Sequence, residues 1–213
     1  FATLLTAGGA LAQDKGSVSP KPLPPLANPN DPDLAAKELF ARKLLPAKGA
    51  AHVIGSYTKG CIGGAEQMPL NGDNWQVMRL SRNRSYGHPE MIALIKRLAA
   101  KARKDAGWPG ILVGDIAQPR GGPALSGHAS HQIGLDADIW LTPMPDRRLS
   151  REEREDMSAV MMVRPDRLDI QPLGFTPSHV LGLRAAAREP GGQRNFLNAL
   201  TRKGCGRVAK GDS

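Results

Sequence analysis

Ser126-Gly-His128-Ala-Ser-His131-Gln-Ile-Gly-Leu-Asp136-Ala-Asp138-Ile-Trp140 decides how the rest of this chain is read. Two of the five histidines and two aspartates fall within it, a density that invites a metal ion. From Ile133 to Trp140, apolar Ile133, Leu135, Ala137 and Ile139 alternate with Gly134, Asp136 and Asp138. That period of two predicts a strand with one buried face and sets both carboxylates on the other. Gly134 lets the chain turn sharply before the ladder, so His131 at the strand's entrance and Asp138 along it converge. Imidazole and carboxylate together suit zinc. The same text also fits a Gly/Ser-rich surface loop whose histidines are hydrogen-bonded and whose aspartates cap turns.

Working outward, Ile111-Leu112-Val113 predicts a buried strand that leads through Asp115 into a loop over 118–130, with glycines at 121, 122 and 127. His88-Pro89-Glu90 opens a helix: proline stands at its first position, Met91, Leu94, Ile95, Leu98 and Ala102 recur at helical spacing, and Gly107 ends it. Ala51 to Tyr57 and Trp75 to Leu80 read as short strands, separated by a Gly-rich stretch around Cys61. Ser150 with Glu153 suggests a capping box before a charged helix. Thr176-Pro177 to Arg188 reads as a further helix, closed off by Pro190. Strands interleaved unevenly with helices give an α+β fold, with a central antiparallel sheet, flanking helices and long loops.

The length, 213 residues at 40% hydrophobic content, suits one globular domain, and 24 glycines and 18 prolines against 4% aromatics argue for loops over a helical bundle. Prolines at 20, 22, 24, 25, 29 and 32 make 13–47 an extended tether ahead of a single domain over 48–213. Residues 1–12 are small and apolar and end in Ala10-Leu11-Ala12. They resemble the tail of a secretory signal at an A-x-A cleavage site, so the mature protein is expected outside the cytoplasm. No other run approaches a membrane span.

The net charge of +9 attracts polyanions without choosing among nucleic acid, anionic lipid and acidic glycan. Arg82, Arg84, Lys96, Arg97, Lys101, Arg103 and Lys104 lack interleaved aromatics and read as a solvated helix face, so no nucleic-acid partner is expected. Cys61 and Cys205 form neither a CxxC pair nor a cysteine zinc site. In an oxidising compartment they could pair with each other or with partners elsewhere.

A catalytic zinc takes three protein ligands and keeps a position open, and it lowers the pKa of the water there toward neutrality. His131 and Asp138 supply two ligands, Asp136 can orient an imidazole from behind, and His128 is a further ligand or a polar neighbour of that water. G-x-S-x-G is absent, and the single S-x-x-K match, Ser56 to Lys59, has no companion elements, so nothing marks a serine nucleophile.

The longer text closely resembles the penicillin-insensitive murein endopeptidases, a branch of the group that includes lysostaphin-type and D-Ala-D-Ala metallopeptidases and the hedgehog amino-terminal domain. The resemblance rests on His131-x6-Asp138, Gly55-Ser-Tyr-Thr-Lys-Gly-Cys61, Gln76-Val-Met-Arg79, Tyr86-Gly-His88-Pro89, Gly114-Asp115 and Gly127-His-Ala-Ser-His-Gln-Ile-Gly-Leu-Asp136. It runs in order from about residue 48 to about residue 200. It implies a hedgehog/D-Ala-D-Ala-peptidase-like fold, zinc ligation by His131 and Asp138, and a place for His128 at the metal as ligand and catalytic group. Asp166 and Asp169 fall where some relatives offer ligands to a second metal. His88 matches a family position but is expected to serve the helix start.

The family's H-x-H element on a later strand is not found, since no histidine follows His179, and His179 lies on the expected Pro177 helix. The domain is therefore expected to be truncated at its C-terminus, without the closing strand and without the disulfide partner of Cys61. The implied activity is zinc-dependent hydrolysis of the D-alanyl-meso-diaminopimelyl crosslink of peptidoglycan in the periplasm, insensitive to penicillin. The alternative is a murein-binding remnant without catalysis, lacking the H-x-H half-site.

Overall fold

The computed structural model describes residues 15–126, 129–171, 174–192, 201 and 205–206. A short helix, α1 (Ala36–Phe40), follows an irregular N-terminal segment. That segment is pinned to the domain: the Gly16 amide donates to the Glu155 carbonyl at 3.0 Å and the Ser17 amide to Ser81 Oγ at 3.0 Å. Next come β1 (His52–Ser56) and β2 (Lys59–Gly63), an antiparallel hairpin turning at Tyr57-Thr58, with Ile54 opposite Cys61 and Ser56 opposite Lys59. The Gly-rich stretch around Cys61, read as a spacer, is thus a strand. Its glycines hide the alternation, and they are there because other backbone comes close: a Cβ on Gly60 would run into the Ile54 and Ser56 carbonyls and the Ile133 side chain.

The core is built on a four-stranded sheet. After β3 (Glu66–Gln67) come β4 (Asn71–Gly72) and β5 (Trp75–Val77), then β6 (Tyr86–Gly87), which pairs with β3. Helix α2 (Pro89–Ala106) crosses over to β7 (Ile111–Val113), and β8 (Ile139–Pro143) completes the order β4-β5-β7-β8. Pairs β4/β5 and β7/β8 are antiparallel; β5/β7 is parallel, as a helical crossover requires. The α+β class is as expected, with this one parallel pairing inside the main sheet.

Both faces of the sheet are covered. Ile111 and Val113 point to one side, where Ile92, Ile95, Leu98, Ala99 and Ala102 of α2 pack with Met68, Val77, Trp108 and Ile116. Leu112 points to the other, into Met78, Trp140, Met144 and Leu149. The ends of α2 follow from its caps: His88 Nδ1 accepts from the Glu90 amide at 3.3 Å, Pro89 opens the first turn, and Gly107 closes the last at φ +70°. The Ser150/Glu153 capping box starts α3 (Arg151–Asp156) as expected, and α4 (Pro177–Ala187) packs beside α2. Among the described residues no helix is long and apolar enough to cross a membrane.

Two strand expectations need correcting. The Trp75 strand stops at Val77, because Arg79 takes a left-handed conformation (φ +54°) and its guanidinium turns inward to the carbonyls of Arg154, Glu155 and Met157 at 2.9, 2.7 and 2.6 Å. The strand expected over Ile133–Trp140 begins only at Ile139. His131 and Gly134 both sit at φ +66°, which breaks any ladder before it can start.

The basic set read as a solvated face is also largely engaged. Arg82 Nη1 and Arg84 Nη1 meet Asp115 Oδ2 at 3.0 and 2.9 Å, while Arg97 and Lys101 hold the buried Glu189 at 2.6 and 2.5 Å. Cys61 and Cys205 are free thiols, so the pairing of one with the other is not found; Cys205 packs against Met162, Phe175 and Val180.

Candidate metal site

The site stands where β7 leaves the sheet and β8 returns to it. Gly114 donates to the Asp138 carbonyl at 2.7 Å, and the Asp138 amide donates to the Asp115 carbonyl at 2.9 Å, so the two strands are zipped one step beyond the ladder. This fixes Asp138 at the sheet's edge. The 131–138 loop has no ladder and satisfies its backbone piecemeal: the Gly122 amide donates to Gln132 O at 2.9 Å and the His88 amide to Gly134 O at 2.8 Å. Gly134 lies so near the β6–α2 junction that a Cβ there would stand 2.9 Å from Gly87 Cα and 3.1 Å from the His88 nitrogen. The sharp turn expected at Gly134 is present, and it folds the loop back so that His131 faces both aspartates.

His131 is buried and clamped on both edges. Nδ1 lies 2.8 Å from Asp136 Oδ2, which also accepts from the His131 backbone amide at 3.1 Å. Nε2 lies 3.5 Å from Asp138 Oδ1. Burial acts to lower the His131 pKa, but the hydrogen bonds to Asp136 and Asp138, and the charges of both, outweigh it and hold it up to about 10. The two carboxylates remain partly open to solvent, and the second oxygen of Asp136, shielded from water, has no hydrogen-bond partner among the described residues.

This geometry fits a zinc half-site. Ligands about 2.0–2.1 Å from a tetrahedral ion stand about 3.3–3.4 Å apart, close to the 3.5 Å between Nε2 and Oδ1. Asp136 on Nδ1 fixes the ring and leaves Nε2 as the donor, the usual arrangement behind a ligating histidine. Among the described residues no group of three or more His, Cys, Asp or Glu side chains is assembled for a metal. A three-ligand site on this pair therefore draws its third ligand from elsewhere. His128, expected as both ligand and catalytic group, lies outside the described residues.

The remaining expected residues are occupied locally. Asp166 pairs with Arg164 at 2.5 Å and caps the Leu168 amide at 3.0 Å, while Asp169 Oδ1 accepts from the Ile170 amide at 2.7 Å. His88 caps α2. His179 Nδ1 accepts from the Thr176 amide at 3.0 Å, which leaves Nε2 to donate to the Leu141 carbonyl at 2.8 Å. Burial lowers its pKa, only partly offset by that carbonyl, so it is a neutral structural histidine.

Sequence reasoning missed three residues that shape the site. Asp115, almost wholly buried, gathers Arg82 and Arg84, and Arg84 Nη2 reaches on to the Ser126 carbonyl at 2.7 Å. Arg84, Ala117, Gln118, Gly122, Ala124 and Ser130 line a shallow depression that ends at His131. Gln132 joins the site to the β1–β2 hairpin. Asp115 and Gln132 carried an advance signal only as parts of the family-like text.

The family model described as penicillin-insensitive murein endopeptidase matches residues 53–213. Curated proteins named penicillin-insensitive murein endopeptidase are similar to this chain. The one from Haemophilus influenzae is 45% identical over 150 residues, covering 70% of this chain and 52% of that protein. Those from Pectobacterium atrosepticum and Salmonella paratyphi B are 37% and 38% identical over 158 and 153 residues, covering 74% and 72% of this chain and 56% and 55% of theirs. The chain thus spans about half the length of the curated relatives it matches. By the extent of these matches, the chain belongs to the penicillin-insensitive murein endopeptidase family.

Proposed function

We propose that this protein is a zinc-dependent endopeptidase that hydrolyses the D-alanyl-meso-diaminopimelyl crosslink of peptidoglycan in the periplasm. The observation that carries the reading is the His131 clamp: an imidazole whose Nε2 lies at the ligand spacing of tetrahedral zinc from Asp138, with Asp136 behind it. The substrate class is supported by the names of the relatives. Zinc bound at this position would supply a water activated at neutral pH and polarisation of the scissile carbonyl.

The chain's own residues do the rest. His131 and Asp138 hold the ion, and His128 is proposed to join them as a ligand or to handle the proton of the attacking water. Asp136 keeps the His131 ring turned so that Nε2 faces Asp138. A second ion would be held at Asp166 and Asp169, whose carboxylates also serve their own turn. No serine nucleophile is used, so penicillin has nothing to acylate.

The test is chromatography of purified crosslinked muropeptide dimers incubated with the protein. Dimers should become monomers with zinc present, equally well with penicillin, and stop doing so after chelation or His131→Ala. A protein that sediments with murein but releases no monomers is a binding remnant, and cleavage that survives His131→Ala refutes the zinc assignment.

A further inference from the structure

We infer that Gln132 is the positioning residue that holds His131 in its metal-binding conformation, by pegging the loop to the tip of the β1–β2 hairpin. The inference rests on the reading of His131 as a zinc ligand. His131 is an L-residue at φ +66°, a conformation that persists only where the surroundings over-determine it. Its ring lies against the two aspartates on the same loop. A constraint from outside the loop comes through the next residue.

Gln132 is 7% exposed, and every polar group on it is used. Its Oε1 accepts from the Gly60 amide at 3.1 Å, and its Nε2 donates to the Thr58 and Ala129 carbonyls, both at 2.9 Å. Its backbone amide donates to the Tyr57 carbonyl at 3.2 Å, and its carbonyl accepts from Gly122 at 2.9 Å. Five hydrogen bonds thus fix the residue after His131 from the hairpin tip, from the loop that lines the depression and from Ala129. Two glycines make room for them: a Cβ on Gly60 would strike Ile133, and one on Gly121 would strike the Gln132 carbonyl. Without the peg, the hairpin tip and the 129–138 loop share one direct backbone bond, and the peptide after His131 is free to leave the left-handed region. Nε2 would then swing away from Asp138.

The test compares Gln132→Met, which keeps length and volume but none of the side-chain hydrogen bonds, with Gln132→Glu, which keeps the acceptor alone, and with His131→Ala. Zinc affinity should weaken about 10- to 100-fold in Gln132→Met, as for other residues that orient a metal ligand from behind. Gln132→Glu keeps the acceptor for Gly60 but sets a carboxylate oxygen against the Thr58 and Ala129 carbonyls, so it should weaken binding at least as much as Gln132→Met, and His131→Ala should lose more than either. On dimer cleavage, kcat should fall while KM stays within about twofold, because the peg orients the site without touching substrate. Wild-type zinc affinity in Gln132→Met, with loss in His131→Ala, overturns the inference and leaves the zinc reading standing. Wild-type affinity in His131→Ala sinks both. Amide exchange on the metal-free protein gives an answer even if Gln132→Met folds poorly: in the wild type the Gly60 and Gln132 amides should exchange through the same opening. A Gly60 amide that exchanges as freely as an exposed turn contradicts the peg.

Discussion

Gly134→Ala isolates the turn that brings His131 to its carboxylates. Gly134 sits at φ +66°, where adding a Cβ costs about 1–2 kcal/mol. The new methyl would also stand 2.9 Å from Gly87 Cα, 3.1 Å from the His88 nitrogen and 3.3 Å from the Gly87 carbonyl carbon. All three are backbone atoms at the root of α2, so none can yield by a rotamer change, and overpacking of this kind adds about 1–3 kcal/mol. The lower entropy of alanine in the unfolded chain returns about 0.4–1 kcal/mol. The net expectation is a loss of about 1–5 kcal/mol, centred near about 3 kcal/mol. Gly107→Ala is the control, because Gly107 has φ +70° but nothing within 4 Å of its would-be Cβ, so only the conformational part applies, about 1 kcal/mol. Urea denaturation of the metal-free variants, at unchanged m-value, measures both. If Gly134→Ala costs no more than Gly107→Ala, the close approach of loop and helix root is not what sets the turn.

Asp115→Ala should destabilise the fold by about 3–5 kcal/mol, since it strips the guanidiniums of Arg82 and Arg84 of a carboxylate that is only 2% exposed; a loss below 1 kcal/mol by denaturant titration contradicts this. Asp136→Asn removes the charge behind Nδ1 and should weaken zinc binding about 10- to 100-fold, as read by competition with a chromogenic chelator. His179 is held neutral by burial, so its folded-state pKa lies below the ordinary 6.5 and the unfolded chain binds the proton first. The contribution of His179 to stability should therefore be complete above about pH 6.5 and decline as pH falls below it. Melting curves at stepped pH should show that decline in the wild type and a flatter profile in His179→Gln.

The helices were legible because their signals are local. Pro89, Gly107 and the Ser150/Glu153 pair lie within a turn of the ends they set, and the apolar stripe of α2 repeats at the spacing its buried face needs. The convergence of His131, Asp136 and Asp138 was legible too, but through a strand that does not exist. Alternating apolar residues here are separate pegs: Ile133 seats on the hairpin, and Ala137 and Ile139 reach the α2 core. Leu135, which a one-faced strand would bury, is 40% exposed. β2 was hidden because its glycines mask the alternation, and the role of Gln132 because it depends on a hairpin tip more than seventy positions away meeting the loop. The same holds for Arg82 and Arg84, whose partner Asp115 arrives only through the sheet.

Zinc-edge anomalous diffraction from crystals of the protein grown with zinc puts the account to its most direct test. A peak within ligand distance of both His131 Nε2 and Asp138 Oδ1, absent from His131→Ala crystals, is the predicted result. A peak that engages neither atom, or no ordered zinc at all, contradicts it.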